Sequence, residues 1–171
     1  CMALPALHLL RGAGLRYALV GRGWVESLFE GLRSSYLPLQ GRLRLDVALV
    51  RQFRTSIDGE ARGLVLPNSF GSALMFALAG VPSAGLATAS RRLLMRWPSP
   101  EPRECHEVER FYSAALAALR AWDLPTERPL PPSALQLPLT PGQISAALAV
   151  RRAGGVGERY VLLAPVATGL H

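Results

Sequence analysis

Residues Leu64–Ala79 read LVLPNSFGSALMFALA, and this stretch decides the fold class. Leu64, Val65, Leu66 and Pro67 form a short apolar run that stops at Asn68-Ser69. A run of this length, bounded by turn residues and followed by a helical pattern, suits a strand buried in a parallel sheet. From Phe70 to Ala79 the one helix breaker is Gly71, near the start. The segment is apolar almost all round, which predicts a helix packed on both sides. In an open α/β sheet the carboxyl ends of the strands carry the ligand site. Asn68 and Ser69 fall at such an end, beside a helix N-terminus whose free N–H groups favour anions. The plainer role for either residue is to cap that helix.

On the amino side, Cys1–Arg11 has helical spacing and ends at Gly12-Ala13-Gly14. Leu15–Val20 is a candidate strand with Gly21-Arg22-Gly23 as its turn, and Val25–Leu32 the next helix. Leu37–Arg54 is ambiguous, and Leu45–Val50 is expected to be a strand. Ile57–Gly63 is polar and looped. On the carboxyl side, Gly80-Val81-Pro82 stops the central helix. Ala84–Met95 carries the doublet Arg91-Arg92, and Trp97–Pro102 reads as a proline-rich loop. In Glu104–Trp122 the residues Val108, Phe111, Tyr112, Ala115, Leu116 and Leu119 share one helical face. Pro125–Pro138 is an extended connector. Thr140-Pro141-Gly142-Gln143 starts a helix, with Thr as N-cap, Pro at the first position and Gln three on. Arg159–Ala164 is a further buried strand. Short strands alternating with helices argue a parallel, Rossmann-like α/β sheet. Both ends are expected to be truncated, the start lacking a first strand and the finish holding a strand with no partner.

A chain of 171 residues can hold one domain with a sizeable core and little more. Half of it is apolar, which excludes a disordered protein. The formal charge is +7, and all 19 cationic side chains are Arg. Arg forks suit phosphates and carboxylates. They are scattered and not interleaved with aromatics, so no nucleic-acid platform is expected. Cys1 and Cys105 make no disulfide framework, which fits a reducing, cytoplasmic setting. Gly63 to Ser90 carries no charge, but Pro67, Asn68 and Pro82 interrupt it, well short of the roughly 20 residues a membrane span needs.

Three chemistries are weighed on residues alone. Ser69, Asp123 and His171 occur in α/β-hydrolase order, and Pro67-Asn68-Ser69-Phe70-Gly71 misses G-x-S-x-G by one residue. Pro67 is unsuited to the strained elbow, and Asp123 follows a helix rather than a strand. Cys105-His106 and the isolated His8 lack metal-ligand spacing, so neither metal nor cofactor is expected. Gly21-Arg22-Gly23 supplies only part of a dinucleotide fingerprint, with Glu at position 26. Trp24, just after that turn, is read as a packing residue rather than a sugar platform.

Taken in order, CMALPALHLLR, VLPNSFGSALMFALAGVP, ATASRRLLM, HEVERFYSAALAAL and YVLLAPVATG resemble the lipopolysaccharide heptosyltransferases of glycosyltransferase family nine. The resemblance implies an α/β, Rossmann-like parallel sheet forming the N-terminal domain of a GT-B glycosyltransferase. It divides the chain into residues 1–135, an acceptor domain with its first strand missing, and 136–171, a linker helix with the first strand of a donor domain. The implied reaction moves heptose from ADP-heptose to the inner core of lipopolysaccharide, with inversion. The implied acceptor contacts are Asn68, Ser69, Arg91 and Arg92. Thr168 and Gly169 are the implied donor contacts. The family's catalytic Asp would lie immediately before Cys1. The implied partners are the nucleotide sugar and the lipopolysaccharide core, met by a monomer at the cytoplasmic face of the inner membrane, with peripheral contact. The alternative is a non-catalytic acceptor-binding domain.

Overall fold

The central strand and helix form where the pattern places them. In the computed structural model, which describes residues 2–67, 69–126 and 137–157, β3 spans Gly63–Val65 and α4 spans Phe70–Ala79. Before them come α1 (Leu4–Gly12), β1 (Ala18–Gly21), α2 (Trp24–Phe29) with a following 3-10 turn, β2 (Ser35–Pro38) and α3 (Leu43–Ser56). After them come β4 (Ser83–Leu86), a 3-10 turn (Ala89–Leu94), β5 (Trp97–Ser99), α5 (Glu107–Ala121) and α6 (Pro141–Ala153). The chain divides into two compact units, Cys1–Pro138 and Leu139–His171.

Among the described residues, all strand pairs of the first unit are parallel. One ladder joins β1 to β2, from Ala18↔Ser35 to Gly21↔Pro38. The other has the order β3-β4-β5, with Val65 opposite Gly85 and Gly85 opposite Pro98. Gly85 is required by close approach, because a Cβ there would lie 2.7 Å from the Val65 carbonyl oxygen and 3.1 Å from Met95 Sδ. Gly80 is required by conformation: at φ 73° it ends α4 in the left-handed region, and Val81 N–H bonds back to the Phe76 carbonyl.

Helices cover two faces. On one, α1 packs against α5, burying Leu4, Leu7, Leu9 and Leu10 with Ala115, Ala118 and Leu119. Leu4 and Leu119 are fully buried, each contributing about 2 kcal/mol of apolar transfer. On the other, α3 packs against α4 around Val47, Val50, Met75, Ala79 and Val81. His106 caps α5: its Nδ1 accepts from Val108 N–H (3.2 Å), while Glu109 Oε2 accepts from His106 N–H (3.2 Å). In the second unit, Thr140 Oγ1 accepts from Gln143 N–H (3.2 Å) and Gln143 Oε1 from Thr140 N–H (2.9 Å), starting α6.

Four expectations are corrected. Leu45–Val50 lies in a helix, α3, not in a strand. The local alternation Leu43-Arg44-Leu45-Asp46-Val47 imitates period two, but the buried pair Val47 and Val50 has the helical i, i+3 spacing. Leu43 and Leu45, which that alternation would bury, are each 42% exposed. Helix α4 is covered on one side only, with Phe70 and Leu78 about half exposed. Part of the supposed loop Trp97–Pro102 is β5, which tolerates Pro98 because it is the outer strand of its sheet. Trp24 does not pack, being 64% exposed. The expected strand Arg159–Ala164 lies outside the described residues.

Candidate functional site

The loops that leave the strands share one edge. Near the end of α3, Arg51 Nη2 donates to the Leu78 carbonyl (2.7 Å) and Arg54 Nη1 to that of Ala79 (3.5 Å), at the end of α4. The two helices therefore run the same way, and both begin where strands end. The segments after β1, β2, β3 and β4 accordingly rim a single carboxyl edge, the ligand edge of open α/β sheets. A cavity of about 550 Å³ lined by Arg54, Ile57, Glu60 and Pro82 belongs to the opposite edge, since those residues precede β3 and β4. It is not the candidate site.

Two side-chain clamps hold the carboxyl-edge loops. Arg91 is 2% exposed; its Nη1 donates to the Pro67 carbonyl after β3, and its Nη2 to the Leu86 carbonyl ending β4. Its Nε is buried without a partner among the described residues. Burial pulls its pKa below the ordinary guanidinium value and the Arg110 charge adds to this, while Glu101 opposes both. No described carboxylate comes within ion-pair distance of Arg91, so its charge stands behind the rim with carbonyl dipoles as its direct partners. Tyr36 makes the second clamp: its hydroxyl donates to the carbonyls of Gly21 (2.8 Å) and Arg22, fixing the loop after β1.

The doublet Arg91-Arg92 is thus split. Arg92 is exposed, whereas Arg91 is engaged with backbone carbonyls. Ser69 is exposed and caps α4, its Oγ accepting from Ser72 N–H (3.3 Å). Its side chain is therefore in the capping role that residue type alone suggested. Ser69 and Arg92 come to the same edge from different loops. Asn68, Thr168 and Gly169 lie outside the described residues, as does His171. Asp123 sits at φ 56° just after α5, remote in sequence from the strand ends. The tyrosine clamp and the exposed Phe70 went unseen in the sequence, and Trp24 reads there as packing. Each helix-opening aromatic follows a strand by a few residues, which is the one signal that marks them.

No group of three or more His, Cys, Asp or Glu that could hold a metal occurs among the described residues. Among the same residues, no helix is long and apolar enough to cross a membrane.

Comparison with known proteins bears on this edge. Residues 50–170 match the family model of glycosyltransferase family 9 (heptosyltransferase), covering β3, α4, both arginines and α5. Among solved structures, the chain is similar to E. coli ADP-heptose lps heptosyltransferase II, with 23% identity and a TM-score of 0.55. That match covers 92% of this chain and 47% of the other, so the chain spans about half the length of the structure it resembles. No curated protein sequence gives a match. The parallel α/β architecture is that of the N-terminal region of the heptosyltransferase GT-B fold. With the family model extending over well more than half of its residues, the chain belongs to glycosyltransferase family 9, the heptosyltransferases.

Proposed function

We propose that this chain is the acceptor-side part of a glycosyltransferase that moves heptose from ADP-heptose onto the inner core of lipopolysaccharide, with inversion. The family match over residues 50–170 carries the reading. The fold likeness to a protein described as an ADP-heptose lps heptosyltransferase supports it. In such a transfer an acceptor hydroxyl attacks the anomeric carbon, a carboxylate takes its proton and the nucleoside diphosphate leaves. Cations and N–H dipoles offset the charge that develops on the leaving diphosphate. Ser69 and Arg92, exposed at the carboxyl edge, contact the anionic acceptor together with Asn68. Arg91 supports them from behind through Pro67. Thr168 and Gly169 contact the donor diphosphate. The division at residues 135–136 separates acceptor and donor domains, and the work takes place at the cytoplasmic face of the inner membrane.

The test is calorimetric titration of the 171-residue chain with anionic inner-core oligosaccharide and, separately, with ADP-heptose. The reading expects oligosaccharide binding at a Kd of about 1 mM, weakened several-fold by Arg92→Ala. Mass spectrometry of the oligosaccharide after incubation with both ligands should show no added heptose from this chain by itself. Tight ADP-heptose binding with no oligosaccharide binding would overturn the acceptor-side assignment.

A further inference from the structure

Among the described residues, Trp24 is the large aromatic that the fold leaves most open. It begins α2, three residues after β1 ends at Gly21, and so stands on the carboxyl edge with Ser69 and Arg92. It is 64% exposed, while Trp122 is buried and stacks edge-on against Trp97 at 6.1 Å. The loop that bears Trp24 is held in place: Tyr36 donates to the carbonyls of Gly21 and Arg22, and Val25 N–H bonds to the Arg22 carbonyl (2.8 Å). An indole held on a fixed loop loses little conformational entropy when a ring stacks on it. Phe70 repeats the arrangement after β3: it also opens its helix and is 50% exposed.

Trp24 does not line the cavity of about 210 Å³ beneath α2, which Val25, Glu26, Phe29 and Tyr36 help to enclose. It stands on the edge where the acceptor-side reading places the saccharide. An anionic bilayer is disfavoured by Glu26 on the same short helix and by Glu30 in the 3-10 turn that follows it. The face of an indole carries negative quadrupole density, which attracts the polarised C–H groups on one side of a pyranose.

Building on the acceptor-side reading above, we propose that Trp24 is a stacking platform for a pyranose ring of the acceptor saccharide, with Phe70 as a weaker second contact. Sugar recognition then runs along the carboxyl edge from α2 to α4, and the arginines act on the anionic groups rather than on the rings.

The experiment titrates the full 171-residue chain with inner-core oligosaccharide while following tryptophan fluorescence and heat. Trp24→Ala is expected to weaken binding about tenfold, Trp24→Phe less than threefold and Phe70→Ala about threefold. Because Trp24 is exposed, the urea midpoint of Trp24→Ala should match the parent, which separates lost stacking from lost folding. The ligand-induced fluorescence change should vanish in Trp24→Phe while the heat of binding persists. Equal affinity of Trp24→Ala and the parent overturns the platform and leaves the acceptor-side reading standing. A fluorescence blue shift on phosphatidylglycerol vesicles, with none on oligosaccharide, overturns it in favour of a lipid surface. Failure of the parent to bind oligosaccharide at all overturns both.

Discussion

Strands β1 and β4 are each four residues long, and their burial runs opposite to their composition. β1 is Ala-Leu-Val-Gly, the more apolar, yet every residue in it is partly exposed. β4 is Ser-Ala-Gly-Leu, and all four residues are buried. Helices pack on both faces of the layer, so the faces do not explain the difference. The edges do: β4 is paired on both sides, by β3 and β5, whereas among the described strands β1 is paired by β2 alone. A parallel strand is sealed from water by its two strand neighbours as much as by the helices above and below. Burial in this fold is a property of position in the sheet before it is a property of residue type.

The same contrast extends to the loops that follow the two strands. β4 ends on the Leu86 carbonyl, held with that of Pro67 by a buried guanidinium. The loop after β1 is held by the hydroxyl of a partly exposed tyrosine. The largest expected effect is therefore at Arg91. Arg91→Ala leaves two carbonyls without their donor and should cost about 4 kcal/mol, read as a lower urea midpoint. Arg91→Lys, which keeps the charge but not the fork, should recover part of it. A loss under about 1 kcal/mol would show that water replaces the clamp.

Next come matched truncations in the two strands. Leu86→Ala in β4 should cost about 3 kcal/mol, and Leu19→Ala in β1 about 1 kcal/mol, because Leu86 is 2% exposed and Leu19 is partly exposed. Equal losses would break the comparison. Native-state amide exchange sharpens it further: β4 amides should exchange through global unfolding and β1 amides through smaller openings.

Smaller effects come from single polar contacts. Tyr36→Phe removes the hydroxyl that bonds Gly21 and Arg22 and should cost about 1 kcal/mol. Its pH signature is directional. Burial, aided by the nearby Glu26 charge, raises the Tyr36 pKa above the ordinary phenol value. The folded state thus holds the phenol proton more tightly, so this contribution is complete below about pH 10 and is lost as pH rises through and beyond it. Tyr36→Phe should flatten the alkaline fall in stability without abolishing it, since burial also raises Tyr17 against the opposing Arg11 charge. The smallest effect tests a cap remote from both strands. His106→Ala should cost about 1 kcal/mol and His106→Asn a few tenths, measured by thermal unfolding.

Much of the architecture was legible because its signals are local. Helix α4 was bounded by Asn68-Ser69 and Gly80, and α6 announced itself through Thr140, Pro141 and Gln143, all within one turn of the features they set. The ordered resemblance along the chain led to the family. The candidate edge was legible only in outline. Arg91 and Arg92 are adjacent and chemically identical, and nothing in their neighbours in sequence tells which is buried. Trp24 looked like core because large aromatics usually are. The reading of α3 failed where a few alternating residues imitated a strand.

What the sequence by itself determined, then, is where α4, α5 and α6 start and stop, that β1 and β3 are strands of a parallel sheet, and the family, because caps, breakers and periodicity act over three or four residues. Only the tertiary structure decided that Arg91 clamps two strand ends while Arg92 faces water, that β4 is sealed and β1 is not, and that Trp24 stands open on the ligand edge. Those outcomes depend on which distant segments become neighbours, and burial, desolvation and shared hydrogen bonds exist only once they have.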